Sequence, residues 1–447
     1  MKYTAAIVLA SAAAVSADCS VTSFEENGNW FCQAVSLIKY EGLDTTGTYS
    51  AVSAMNTDGT CSFEDKAYSG SIAPFDEELS VHVRGPAQLK QFAVYTAGSS
   101  STKKRQEHKS HHKRHGHQHL HKKHTESKQE AARAVGDIVT AVIDGETVTW
   151  TNTYSGENGA VNAVNAAAAV ETSSSKTTAS AKSSTTKTKT SSTTTSTSVA
   201  SGDYTRVAYY NAEDATADGL TFLGTYGGTG SGVWDTTYGS SLSYLSADGT
   251  TGAESSTVLD NVLVGDNIEY IITSDTECTS DGADCGFYRD GTVAYQGFAG
   301  ADKVFLFEFT MPMTGNTDWN CDMPAIWLLN AKIPRTQQYG DCSCWGSNGR
   351  GCGEADLFEV LATGDTKAKS TFHFLNALGS SDYFDRPTSD YIKLAAVFRS
   401  SDSTASIKVL DSSVDFSSSL TADTVDSFIV EDSSSLLSSI EDFLSSL

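Results

Sequence analysis

The chain has 447 residues, room for two or three domains, and a net charge of −24. The charge is uneven: from residue 203 onward 12 Lys/Arg stand against 36 Asp/Glu, whereas the first 202 residues hold 19 of each and balance. That acidic half excludes nucleic acid and other polyanions as its partners and suits an uncharged polymer.

Lys2, the apolar run 5–10 and the small-residue ending Val15-Ser16-Ala17 read as a secretory signal peptide over 1–17. No later run of 18 apolar residues follows, so a secreted, extracellular protein with no membrane span is expected. Secretion makes disulfides the expected state of the nine cysteines. Cys19, Cys32 and Cys61 lie near the N-terminus, and Cys278, Cys285, Cys321, Cys342, Cys344 and Cys352 lie in the C-terminal half. Cys342, Cys344 and Cys352 are close enough to ligate a metal, but bridges are the expectation, and no metal or cofactor is assigned.

Residues 18–165 read as a small β-rich N-terminal module, with strand-like runs at 33–38, 78–83, 137–143 and 148–150. It is interrupted at 103–124, where eight Lys/Arg and eight His fill 16 of 22 positions. Like charges this dense do not pack, so a solvated, disordered insertion is expected. Metal binding or adhesion to acidic polymers is its functional alternative, and Lys104-Arg105 and Lys113-Arg114 are dibasic sequences. From 172 to 201, 22 of 30 residues are Ser or Thr. With no apolar run to fold around, the stretch reads as an O-glycosylated linker. No Asn-x-Ser/Thr sequon occurs.

Residues 204–447 carry short apolar runs at 304–307, 325–329 and 394–398 between turn residues. This is the pattern of an all-β sandwich or jelly roll. At the C-terminal end, 436–447, Leu436, Leu437, Ile440, Phe443, Leu444 and Leu447 follow helical spacing and predict an amphipathic helix docked on the sandwich. Its polar face carries Glu441 and Asp442 and no cation, which does not suit a membrane surface.

The most informative segment is Glu354-Ala355-Asp356-Leu357-Phe358-Glu359, a predicted strand with three carboxylates among apolar neighbours. Burying three acids is costly unless they are paired, protonated or used. Glu354 and Asp356, two apart, share a strand face. Glu359 joins them only if a one-residue bulge lies near Leu357-Phe358. Retaining glycosidases need a nucleophile and an acid/base about 5–5.5 Å apart. On an extended strand the two glutamate Cα atoms would lie roughly 13 Å apart, so both side chains must lean inward across Asp356. A proton shared between Asp356 and a glutamate would relieve the crowding. A structural acid cluster or a calcium site with six to eight oxygens is the alternative.

The segment resembles the bulged E-x-D-x-x-E signature of glycoside hydrolase family 16. Met323-Pro324-Ala325-Ile326-Trp327-Leu328-Leu329 resembles that family's W-P-A-I-W-L-L strand, and Gly351-Cys352-Gly353 its small-residue turn. Ser370-Thr371-Phe372-His373-Phe374 is similar to its strand with a site-facing histidine. Phe287-Tyr288-Arg289-Asp290-Gly291 resembles a hairpin that follows the acids in the family but precedes them here, which implies a circular permutation. Taken whole, the chain resembles the fungal circularly permuted β-1,3-glucanases, secreted cell-wall proteins.

The resemblance implies Glu354 as nucleophile, Glu359 as proton donor and acid/base, and Asp356 as assisting carboxylate. It implies β-1,3-glucan and other cell-wall polymers as partners. Trp319, Trp327, Tyr339 and Trp345 surround the acids in sequence and are candidates to stack on glucose rings. Trp345, in a polar loop, is the stronger candidate, while Trp327 reads equally as core. His373 either bonds substrate or is a satisfied core histidine. Two competing functions are a non-catalytic glucan-binding wall protein and a glucan–chitin crosslinking transglycosylase.

Overall fold

Two large, mainly antiparallel sheets hold the fold, and strands from both ends of the sequence are interleaved in them. The computed structural model describes residues 23–98, 203–279, 284–345, 351–374 and 377–431, together with the strand segments 138–143, 146–151 and 437–440. The proposed signal peptide, the His/Lys-rich insertion and the Ser/Thr-rich linker lie outside the described residues. One compact unit comprises Met1–Ser100 with Val199–Leu447, and a second comprises Ser101–Ser198. In the second, Ile138–Ile143 pairs antiparallel with Glu146–Thr151.

In the first unit, a ten-stranded sheet has Glu269–Ser274, Leu79–Arg84, Ala325–Asn330, Glu354–Glu359 and Lys367–His373 as consecutive neighbours. A nine-stranded sheet places Tyr204–Asn211, Gln88–Ala97, Lys303–Thr310, Ile392–Arg399, Thr404–Leu410 and Leu37–Tyr40 in that order. The expected boundary between a module ending near 165 and a sandwich starting at 204 therefore takes another form. The N-terminal residues are β-rich, but Leu79–Arg84 and Gln88–Ala97 occupy interior positions of the two sheets. Ala97 pairs directly with Tyr204, so the chain leaves and re-enters the sheet at one point, and the separate unit is 101–198.

Alternation explains the sandwich. Val81, Val83, Ile326, Leu328 and Phe372 of one sheet meet Phe92, Val94, Phe305, Phe307 and Phe398 of the other in one core. Val304, Leu306 and Val397 point the other way, under Leu420, Val425 and Phe428. That cover includes a short helix, Ala422–Ser427, whose first turn is capped by Thr421. The sheet is thus buried on both faces, which is why 304–307 reads as an unbroken apolar run.

The C-terminal helix expected over 436–447 is not seen where the structure describes that segment. Leu437–Ile440 is a strand paired in parallel with Leu37–Tyr40. An edge strand offers unpaired backbone groups, and Leu-Ser-Ser-Ile holds two serines that compete with helical hydrogen bonding. Residues 436 and 441–447 lie outside the described residues.

The cysteines form bridges at Cys61–Cys342, Cys278–Cys285 and Cys344–Cys352. Cys32 is also disulfide-bonded, and Cys321 is a buried free thiol. The three cysteines weighed as metal ligands therefore all sit in disulfides. Phe287–Gly291, noted for its hairpin likeness, contains a turn closed by the Thr292 N–H on the Arg289 carbonyl at 3.1 Å.

Candidate active site

The acid strand carries the bulge its spacing predicts. On one side Ile326 pairs with Phe358 and Trp327 with Asp356; on the other, Thr371 pairs with Asp356 and Lys369 with Glu359. One extra residue is thus accommodated between Asp356 and Glu359. Leu357 and Phe358 both enter the core beside Ala355 and Val360, and Glu354, Asp356 and Glu359 all line one cleft of about 920 Å³ on the opposite face.

The strand is supported from behind. Tyr40, from the other sheet, donates its hydroxyl to Ser370 Oγ at 2.8 Å, and Ser370 donates to the Asp356 carbonyl at 2.7 Å. Glycine admits the loop in front. A Cβ on Gly351 would come within 1.8 Å of the Trp345 carbonyl oxygen. Gly353, at φ +109°, precedes the first acid in a conformation that side chains rarely adopt. The Cys344–Cys352 bridge closes the same loop.

Each carboxylate has its own partner. Trp345 Nε1 donates to Glu354 Oε2 at 2.5 Å, His373 Nε2 lies 3.1 Å from Asp356 Oδ2, and Arg84 Nη2 lies 3.3 Å from Glu359 Oε1. Burial, then the charge of Asp356, pushes the Glu354 carboxyl up to about 8, against the pull of His373 and the Trp345 N–H. Asp356 is raised well above the usual range by burial and the Glu359 charge, with Arg84 offsetting. Both carboxyls are thus pushed toward their neutral forms, and a neutral Asp356 removes one of the two charges that oppose ionisation of Glu354.

These shifts fix a stability trend. Both carboxyls hold protons more tightly folded than unfolded, so the unfolded chain releases them first as pH rises. Their contribution is fully present below the ordinary values, about 4.5 for Glu354 and 3.8 for Asp356, and for Glu354 it is lost as pH rises through about 8. Asp356→Asn, which keeps a hydrogen-bonding group facing His373, is expected to raise the melting temperature at pH 8 by about 2–4 °C. The gain should vanish below about pH 3.8, the ordinary value for Asp, and calorimetry at both values checks this.

Of the aromatic candidates, Trp327, Tyr339 and Trp345 line the cleft with the acids. Trp327 is also core: it is 5% exposed and packs with Tyr49, Leu329 and Cys352. Trp319 is 75% exposed and is not among the cleft-lining residues. His373 faces Asp356.

The sequence reading missed Arg84 and a buried polar row behind the cleft. Leu79, Val81 and Val83 face the core, so Ser80, His82 and Arg84 share the other face. His82 Nδ1 bonds Glu269 Oε1 at 2.8 Å, and His82 Nε2 lies 2.9 Å from Ser80 Oγ. Burial would raise Glu269, but hydrogen bonding and charge from His82, with bonds from Tyr339 and Gln338, outweigh it and hold the carboxyl below its usual value. Ionised, Glu269 accepts from Gln338 at 2.7 Å and the Tyr339 hydroxyl at 2.5 Å, fixing the cleft loop. The signal was present: Ser80, His82 and Arg84 alternate strictly with apolar residues.

Fold and site define a class: an all-β sandwich with a carboxylate-lined cleft on the outer face of one sheet. Residues 202–428 match the C-terminal domain described as cell wall protein YJL171C/Tos1, and residues 36–97 match the N-terminal domain of the same description. The chain is 43% identical to a Saccharomyces cerevisiae protein named "Probable circularly permuted 1,3-beta-glucanase TOS1", over 94% of this chain and 95% of that protein. It is 40% identical to an Arthroderma benhamiae protein named "Probable circularly permuted 1,3-beta-glucanase", over 92% of each chain. Identity to a Candida albicans protein that shares the first relative's name is 38%, over 96% of this chain and 98% of that protein. No solved structure matches the chain. The chain belongs to this Tos1 family of cell wall proteins.

Proposed function

We propose that the protein is a secreted fungal cell-wall glycosidase or transglycosylase acting on β-1,3-glucan with retention of configuration. The observation that carries the reading is the bulge, which turns three carboxylates of one strand into one cleft. Glu354 attacks the anomeric carbon and Glu359 protonates the departing glycosidic oxygen. Glu359 then takes a proton from water, or from an acceptor sugar, as the glycosyl-enzyme bond breaks. Asp356, holding the shared proton beside His373, keeps the cluster from carrying three full charges. The relatives' printed names support a 1,3-β-glucan substrate, and the acidic composition of this half suits an uncharged polymer.

Incubation with laminari-oligosaccharides followed by NMR tests the reading. The β-anomer is expected first among new reducing ends, and products longer than the donor mark transfer. No conversion, or the α-anomer first, would overturn it.

Arg84 sits between the acid/base and Trp327, with its Nε donating to the Met323 carbonyl at 2.8 Å and its guanidinium 5.8 Å from the indole centroid. Arg84→Met removes a cation that favours ionised carboxylates. It should lower kcat/KM by about tenfold, the loss of one charge-assisted hydrogen bond, and move the pH–rate profile to higher pH. A profile that stays in place would mean the guanidinium does not tune the cluster.

A further inference from the structure

One wall of the cleft comes from residues that the sequence assigns to a different module. Thr46–Met55 and Cys61–Ser69 form a separate two-stranded sheet. A pair of strands alone is marginal in water, yet this one is fastened toward its base and at its turn. At the base, the Tyr49 hydroxyl donates to Glu77 at 2.8 Å and Lys66 lies 3.4 Å from the same carboxylate. Glu77 in turn pairs with Lys332 at 2.7 Å, beside the cleft sheet. At the turn, the Tyr238 hydroxyl donates to the Thr60 carbonyl at 3.0 Å. At the same turn, Cys61 is bridged to Cys342, within the stretch that carries Tyr339 and Trp345.

Two residues beyond that bridge, Phe63 lines the cleft and stays 45% exposed. Its companions in the cleft include the exposed rings of Tyr339 and Trp345. Leaving three large rings in water is unfavourable for the free protein, and apolar surface gathered in one groove marks a ligand site. Rings offer flat apolar faces that match the C–H faces of an uncharged sugar. At about 920 Å³, the cleft is at the upper end of pockets that enclose drug-sized ligands, which leaves room for more than one sugar unit.

We propose that the hairpin is a sugar-binding wall, in which Phe63 stacks on a glucose unit of the β-glucan chain beyond the one held by the three acids. This rests on the reading of the cleft as a β-glucan site.

The test measures binding by calorimetry in the full-length Glu354→Gln protein, with laminari-oligosaccharides from disaccharide to heptasaccharide. Adding Phe63→Ala is expected to weaken the longest ligand about tenfold, the worth of one aromatic contact, and to leave the disaccharide within about twofold. Phe63→Tyr should restore the affinity. A loss that grows with ligand length, rescued by Tyr, supports the wall. Equal affinity at every length overturns it, and so does an equal loss at every length, which would report a general structural effect. Failure of every oligosaccharide to bind the Glu354→Gln protein also overturns it. If the length-dependent loss appears while the wild type turns nothing over, the wall stands and the enzymatic reading falls.

Discussion

Glu354→Gln is expected to reduce turnover of laminari-oligosaccharides by about 10⁴-fold or more, because the proposed mechanism assigns the glycosyl-enzyme bond to Glu354. The fold should survive. Glutamine keeps an acceptor for the Trp345 N–H and is neutral, the state that burial favours at this position. The assignment has a stereochemical check. In Glu354→Ala, added azide occupies the space of the missing carboxylate and displaces the leaving sugar once, giving an α-glycosyl azide. Formation of the β-azide from this variant, or wild-type turnover by Glu354→Gln, would show that Glu354 is not the nucleophile.

Glu359→Gln carries the second largest effect, a loss of about 10²–10⁴-fold on natural oligosaccharides, the usual worth of positioned proton transfer. The deficit should depend on the leaving group. An aryl glycoside with an acidic phenol needs little protonation, so its first step should be nearly restored while water attack on the glycosyl-enzyme stays slow. In Glu359→Ala, azide attacks the glycosyl-enzyme and gives the β-azide, opposite to the product expected at Glu354. A deficit equal for good and poor leaving groups would remove Glu359 from the acid role.

The opposite azide outcomes matter because the two glutamates differ in environment as well as position. Glu354 lies against the Trp345 indole with a carboxyl that burial pushes upward, whereas Glu359 faces the Arg84 guanidinium. Substitutions at either position therefore disturb different partners, and a purely structural cluster would show no link between site and product configuration.

Much of the site was legible because strand periodicity is local. The i, i+2 relation placed Glu354 and Asp356 together, and the odd offset of Glu359 required a bulge that the register shows. The short apolar runs at 304–307 and 394–398, set between turn residues, likewise announced a sandwich. The segment at 437–440 misled for the same reason. Its apolar spacing fits a helix, but an open edge on Leu37–Tyr40 offered backbone partners that no local pattern reveals.

The sequence by itself determined the two-sheet core, the acid strand, its bulge and the disulfide-rich character of the chain. Only the tertiary structure decided which distant residues complete the cleft. Arg84 reaches Glu359 across 275 positions, and Cys61 is bridged to Cys342 across 281. Neither pairing leaves a signature in either segment. Side-chain alternation depends on a residue's immediate neighbours, whereas strand order and disulfide partners follow from how the whole chain closes its core. That closure carries an N-terminal strand and hairpin to the carboxylates more than 200 residues downstream.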